Sequence, residues 1–137
     1  FAEGDGHFST DGRWIVYESD ESGQSEIYVM PFPGPGRKWQ ISTAGGIAPR
    51  WRHDGKELYY IAPDGKMMAV PVTTRGETIE PGTPVALFQT HIFGGGAYSN
   101  RQQYDVAADG RFLINTVLDT DSAPPITLLQ NWRPPAN

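Results

Sequence analysis

The chain has 137 residues, sixteen acidic and eleven basic ones, and a formal net charge of −5. Its basic residues form no cluster, which argues against nucleic-acid binding through phosphate neutralisation. It has no cysteine, which excludes disulfides and thiolate metal sites, and its sixteen glycines and twelve prolines predict short strands and frequent turns rather than long helices.

The sequence contains no run of 18 apolar residues, so we expect no membrane insertion. No signal peptide is recognisable either. Because the first residue is Phe1 rather than methionine, we expect the chain to be a fragment or a processed piece of a longer protein.

One pattern occurs three times along the chain. Each copy has an apolar residue, two small or polar residues, Asp-Gly, a basic residue and then an apolar run. Asp-Gly between strand-like runs predicts a β-hairpin, since glycine tolerates a positive φ in the turn. The separations of 43 and 55 residues between the aspartates are near the spacing of propeller blades. The three copies are Phe8 to Tyr17, Trp51 to Tyr60 and Val106 to Asn115.

Further strand-like segments follow each hairpin. A third strand is predicted at 26–32, 66–72 and 125–132, and a fourth, outer strand at 38–42 and 84–89. Residues 73–83 and 116–125 are polar or rich in Pro and Gly and are predicted to be loops, and no segment is predicted to be helical.

These elements predict an all-β fold, a β-propeller segment of about three four-stranded antiparallel blades. The blades are expected at residues 3–43, 47–90 and 97–133, and the last lacks its outer strand. Three blades are fewer than a closed ring needs, and the last blade leaves an open edge. We therefore expect the chain to be part of a longer propeller or to form a homo-oligomer. A dimer with six blades is favoured.

The first two repeats, Phe8 to Ser19 and Pro49 to Tyr60, resemble the TolB-type, WD-repeat-like propeller repeat, and Glu26 to Pro33 resembles the strand that follows it. The short sequence patterns of the chain resemble those of the C-terminal propellers of bacterial membrane-bound serine/threonine kinases and related secreted proteins. No kinase motif is present. The resemblance implies an extracytoplasmic, partner-binding role without naming a partner.

The aspartates of the repeats and the three histidines are explained by structural roles without catalysis or metal binding. Asp11, Asp54 and Asp109 are expected to cap their own turns by hydrogen bonding to nearby backbone. The three histidines lack the spacing of metal ligands, and no Gly-x-Ser-x-Gly nucleophile motif occurs. We therefore predict no metal, no cofactor and no enzymatic activity in this chain.

The loops of a propeller that enter the inner strands gather on one face, where binding is expected. In this sequence they are residues 43–48 and 91–101, and the candidate contacts are Arg50, Tyr98 and Arg101. Trp39 is a further candidate, since tryptophan can stack on sugars, whereas Trp14 and Trp51 are expected to be packing residues. The predicted function is a non-catalytic scaffold for protein or peptide partners. The alternatives are a lectin-like carbohydrate binder and the accessory propeller of a peptidase or kinase whose catalytic domain is absent.

Overall fold

The computed structural model describes residues 2–92 and 103–116, together with the backbone of residues 127–128. These residues form twelve β-strands in three antiparallel sheets, and no helix occurs among them. The predicted all-β class is therefore confirmed. The described strands do not close into a ring of sheets.

The first sheet is built from four strands that pair in chain order. The strands are β1 (Glu3–Phe8), β2 (Trp14–Ser19), β3 (Glu26–Pro31) and the short edge strand β4 (Trp39–Gln40). On β2, Trp14 and Val16 are buried on one face, whereas Ile15 and Tyr17 on the other face are half-buried. This alternation is the period-two pattern of a strand.

The second sheet has five strands instead of the four expected. They are β5 (Ile47–Trp51), β6 (Glu57–Ile61), β7 (Lys66–Arg75), β8 (Thr78–Pro81) and β9 (Val85–Gln89). The start of β7 pairs with β9 and its end pairs with β8.

The prediction of a loop at 73–83 is therefore wrong. Strand β7 continues to Arg75 and turns back as β8. The physical reason is Ile79, whose side chain is buried in the core between the first and second sheets. The exposed polar residues on the outer face of the same hairpin obscured this pattern in the sequence.

The third sheet contains β10 (Tyr104–Val106), β11 (Phe112–Ile114) and β12 (Thr127–Leu128). Strand β12 lies within the predicted third strand at 125–132 and pairs with β11. An isolated bridge joins Ile92 to Thr116. The remainder of the predicted loop at 116–125 lies outside the described residues, as do much of the predicted third blade and its open edge.

The Asp-Gly hairpins form as predicted. The Asp11, Asp54 and Asp109 carboxylates each accept a hydrogen bond from the backbone N–H two residues on, at 3.1, 3.0 and 3.2 Å. The glycines after them have φ values of 70°, 70° and 84°, which favour glycine. Asp64-Gly65 makes a fourth turn of this kind between β6 and β7, which was not among the predicted hairpins.

The second sheet lies between the other two. One face of β6, carrying Leu58 and Tyr60, packs against Trp14 and other residues of the first sheet. Its other face, carrying Tyr59 and Ile61, packs against the third sheet. The prediction that Trp14 and Trp51 are packing residues is confirmed, since both are buried in the core shared by the first two sheets.

Candidate binding site

The first strands of the three sheets, β1, β5 and β10, lie side by side, with β5 in contact with both of the others. Each is the edge strand at the start of its sheet. The residue five positions before the Asp-Gly glycine occupies the same place in each: His7, Arg50 and Asp105. Equivalent positions of the repeat therefore line up along one edge of the molecule.

Strands β1 and β5 also share an irregularity. The pairing register shifts between Gly4 and His7 in β1 and between Ile47 and Arg50 in β5. Within these bulges Asp5 and Ala48 have φ values of 48° and 53°, in the left-handed region that non-glycine residues rarely adopt. Bulges redirect side chains, and backbone strain of this kind concentrates at functional sites.

Arg50 is the centre of the cluster. Its side chain is only 6% exposed. Nη1 donates to Asp5 Oδ2 at 3.0 Å and to the Pro49 carbonyl at 2.7 Å, and lies 2.5 Å from His7 Nε2. His7 Nε2 is in turn 3.1 Å from Asp5 Oδ1. The bulge in β1 thus brings a carboxylate and an imidazole to a guanidinium on the neighbouring sheet.

The other two nitrogens of this guanidinium, Nε and Nη2, are buried and have no hydrogen-bond partner among the described residues. These two N–H groups form the side-on fork of arginine, whose parallel donors match the two oxygens of a carboxylate or the oxygens of a phosphate. An unsatisfied buried donor is costly, by about 1–3 kcal/mol, and more for a charged group. Among the described residues, two donors of Arg50 are therefore left without an acceptor.

Neighbouring residues keep Arg50 in place. The centre of its guanidinium lies 5.6 Å from the centroid of the Tyr104 ring, within range of a cation–π interaction. The Tyr104 hydroxyl donates to the Ala48 carbonyl at 2.7 Å, and the Ala48 N–H donates to the Glu18 carboxylate at 3.2 Å. All three sheets or their edges therefore contribute to one cluster.

The charges in the cluster respond to their surroundings. Burial raises the pKa of the Glu18 carboxyl and of the Tyr104 hydroxyl. Burial by itself also raises the pKa of Asp5, but hydrogen bonds from His7 and Arg50 and the charge of Arg50 outweigh it, so the pKa of Asp5 is lowered. Asp5 is thus held as a carboxylate, and it compensates only one edge of the guanidinium.

Of the four residues predicted from the sequence, Arg50 lies in this cluster and Trp39 lies elsewhere. Tyr98 and Arg101 lie outside the described residues. Asp5, His7 and Tyr104 were not predicted as site residues, although His7 and Arg50 each stand directly before the first residue of a repeat. This shared position could have indicated from the sequence that His7 belongs to the site. Nothing in the sequence indicated the bulge at Asp5.

Trp39 lines a cavity of about 800 Å³ between the first sheet and the β7–β8 hairpin. Its ring packs edge-on against Trp14 at 5.7 Å, and the Arg37 guanidinium lies 5.8 Å from its centroid. Arg13, Glu77 and Glu80 add polar groups to the same cavity.

A smaller cavity of about 430 Å³ lies between the first two Asp-Gly turns. The indoles of Trp14 and Trp51 line it, and the Nε1 atom of each is buried without a partner among the described residues. Asp11 and Asp54 lie at its rim, but both already accept backbone hydrogen bonds in their own turns. These carboxylates therefore act in the turns, as predicted.

No family model matches the chain, and no curated protein is significantly similar to it. The resemblance to TolB-type repeats therefore stays a prediction. Within the described ranges, no helix is long and apolar enough to cross a membrane, and no three His, Asp or Glu side chains are grouped to hold a metal ion.

Proposed function

We propose that the chain is a segment of a β-propeller that acts as a non-catalytic binding scaffold for a protein or peptide partner. Three consecutive antiparallel sheets, stacked face to face with their first strands adjacent, support the propeller assignment. The TolB-type resemblance and the extracytoplasmic location that it implies belong to the same proposal.

The partner's anchoring group is a carboxylate, from an acidic side chain or a chain terminus. The observation that carries this is the buried Nε–Nη2 fork of Arg50, which has no hydrogen-bond partner in the described part of the chain and lies between the strained edge of β5 and the Tyr104 ring. Asp5 satisfies Nη1 on the opposite side, so the free edge is oriented before the partner arrives. A guanidinium that is ordered in advance loses little entropy on binding.

The test is a peptide array containing acidic peptides and peptides with free C-termini, each beside its Asn, Gln or C-terminal amide counterpart. We expect the wild-type protein to retain carboxylate peptides selectively. Arg50→Lys keeps the charge but removes the fork, and should weaken binding at least about tenfold, as loss of a charged hydrogen bond predicts.

Arg52→Lys is the matched control, because Arg52 follows the same strand but is 42% exposed and pairs with Glu57. Its binding should equal that of wild type. If Arg50→Lys unfolds, the test is the chemical shift of the Arg50 Nε–H in the wild-type protein, which should change by NMR when a carboxylate peptide is added. Equal retention of acid and amide peptides, or no movement of that resonance, would refute the carboxylate site.

A second candidate function, carbohydrate binding, is favoured by one observation. Trp39 lines a cavity large enough for a sugar, and Arg13, Glu77 and Glu80 place polar groups on the same cavity. A glycan array tests it. Retention of a glycan that is lost in Trp39→Ala and kept in Arg50→Lys would establish this function in place of peptide binding.

A further inference from the structure

Equivalent positions of the repeat lie on one face of each sheet, and in the second and third sheets this face packs against the sheet before. In the first two repeats these positions lie four residues before the Asp-Gly glycine and three and five residues after it. In the third repeat the hairpin closes one residue earlier, because the Ala107 N–H donates to the Arg111 carbonyl. The two positions after the glycine are therefore two and four residues away instead of three and five. The equivalent residues are Phe8, Ile15 and Tyr17 in the first sheet, Trp51, Leu58 and Tyr60 in the second, and Val106, Phe112 and Ile114 in the third.

In the second and third sheets this face is covered. Trp51, Leu58 and Tyr60 are buried against the first sheet. Phe112 and Ile114 are buried against the second sheet. One packing arrangement is thus used twice within the chain.

In the first sheet no described sheet covers the same face. Phe8 is 56% exposed, and Ile15 and Tyr17 are half-buried. Phe32, which is 47% exposed, extends this face and meets the Phe8 ring edge-on at 4.9 Å. Large exposed apolar side chains that form one patch mark an interaction surface.

The described part of the third sheet leaves the opposite face open at Leu113. Leu113 lies on the face turned away from the second sheet and is 50% exposed. The corresponding side chains, Val16 in the first sheet and Tyr59 in the second, are buried against the following sheet. Among the described residues, two complementary faces are therefore without a partner, one at each end of the stack.

We infer that the open face of the first sheet docks against the open face of the third sheet in a second copy of this chain. The contact repeats the packing that joins the first sheet to the second. It is head-to-tail, so it closes into a ring if the rotation between copies permits. The inference does not depend on the carboxylate site at Arg50.

Sedimentation velocity over a wide range of protein concentrations is the first test. We expect reversible association of wild type. Phe8→Glu and Phe32→Glu should each raise the dissociation constant at least about tenfold, because each places a charge in an apolar contact. Both side chains are exposed, so the monomer should stay folded.

Val85→Glu is the control, because Val85 is equally exposed, at 55%, but lies on β9 at the edge of the second sheet. It should associate like wild type. A wild-type protein that remains monomeric at every concentration would overturn the inference, as would association that Phe8→Glu and Phe32→Glu leave unchanged.

The absence of cysteine allows a test of direction. A mixture of Phe8→Cys and Leu113→Cys proteins should form mixed disulfide dimers under mild oxidation, in excess over either homodimer. Predominant Phe8→Cys homodimers would indicate a two-fold symmetric contact and would contradict the head-to-tail arrangement.

Discussion

At the scale of single residues, the Arg50 cluster depends on two strained backbone positions. Asp5 and Ala48 stand seven residues before their respective Asp-Gly glycines, and both have a positive φ. The bulge at Asp5 turns its carboxylate toward Arg50, and the bulge at Ala48 presents a carbonyl to Tyr104. A repeated strain of this kind persists because the contacts around it stabilise it.

The lowered pKa of Asp5 makes a pH-dependent prediction. A carboxyl whose folded pKa lies below its ordinary value of 3.8 stabilises the fold above that value, and the contribution is lost as pH falls through the folded pKa. We expect Asp5→Asn to lower the free energy of unfolding by about 1 kcal/mol at neutral pH. The difference from wild type should shrink below pH 3.8, as measured by urea denaturation across pH.

Asp105→Asn is the comparison, because Asp105 is an exposed carboxylate on β10 whose only hydrogen bond in the described structure is with a neighbouring backbone N–H. Its stability profile should follow that of wild type. A constant difference for Asp5→Asn down to the lowest pH would show that the Asp5 charge contributes nothing.

At the scale of elements, the hairpin turns determine how each sheet begins. In all four Asp-Gly turns the glycine N–H donates to the carbonyl three residues earlier, at 2.8 to 2.9 Å, and the aspartate accepts from the residue after the glycine. The Asp64-Gly65 and Asp109-Gly110 turns close one residue sooner than the other two. The earlier closure of the Asp109-Gly110 turn keeps Phe112 and Ile114 on the covered face, although they follow the glycine by one residue fewer than their equivalents in the first two repeats.

Gly55→Ala tests this turn chemistry. A Cβ at Gly55 would meet nothing within 4 Å, so the only penalty is its φ of 70°. We expect a loss of about 1 kcal/mol in the free energy of unfolding. Gly4→Ala, where φ is not positive and the nearest atom is 3.5 Å away, should show no such loss. Equal effects in the two variants would argue against backbone strain as the cause.

At the scale of the whole molecule, the second sheet holds the stack together because both of its faces are buried. Leu58 and Tyr60 contribute to one core, and Tyr59 and Ile61 to the other. Such a sheet requires apolar residues at successive positions, which explains the continuous run from Leu58 to Ile61. The outer two sheets each have one face without a partner among the described residues.

Leu58→Ala and Leu113→Ala compare a covered face with an open one. The first should destabilise the chain by about 2–5 kcal/mol through the cavity that it leaves. The second should change the stability of the monomer by less than about 0.5 kcal/mol. Chemical denaturation at low protein concentration measures both, and a large effect of Leu113→Ala there would mean that its face is already covered within one chain.

The sequence by itself determined the all-β class, the hairpins and the packing role of Trp14 and Trp51, because turn chemistry and alternation act over a few residues. It also made Arg50 a candidate contact, and that role stays a prediction. The loop predicted at 73–83 failed because its one buried residue, Ile79, acquires its core only from the first sheet.

Only the tertiary structure decided which residues meet at Arg50 and which sheet faces have no neighbour among the described residues. Asp5 and Arg50 are 45 residues apart in the chain, and only the stacking of β1 beside β5 brings them within 3.0 Å. The exposure of Phe8 and the burial of its equivalent Trp51 likewise follow from which sheets have a neighbour. Local pattern specifies which way a side chain points, but what lies opposite it depends on the whole chain.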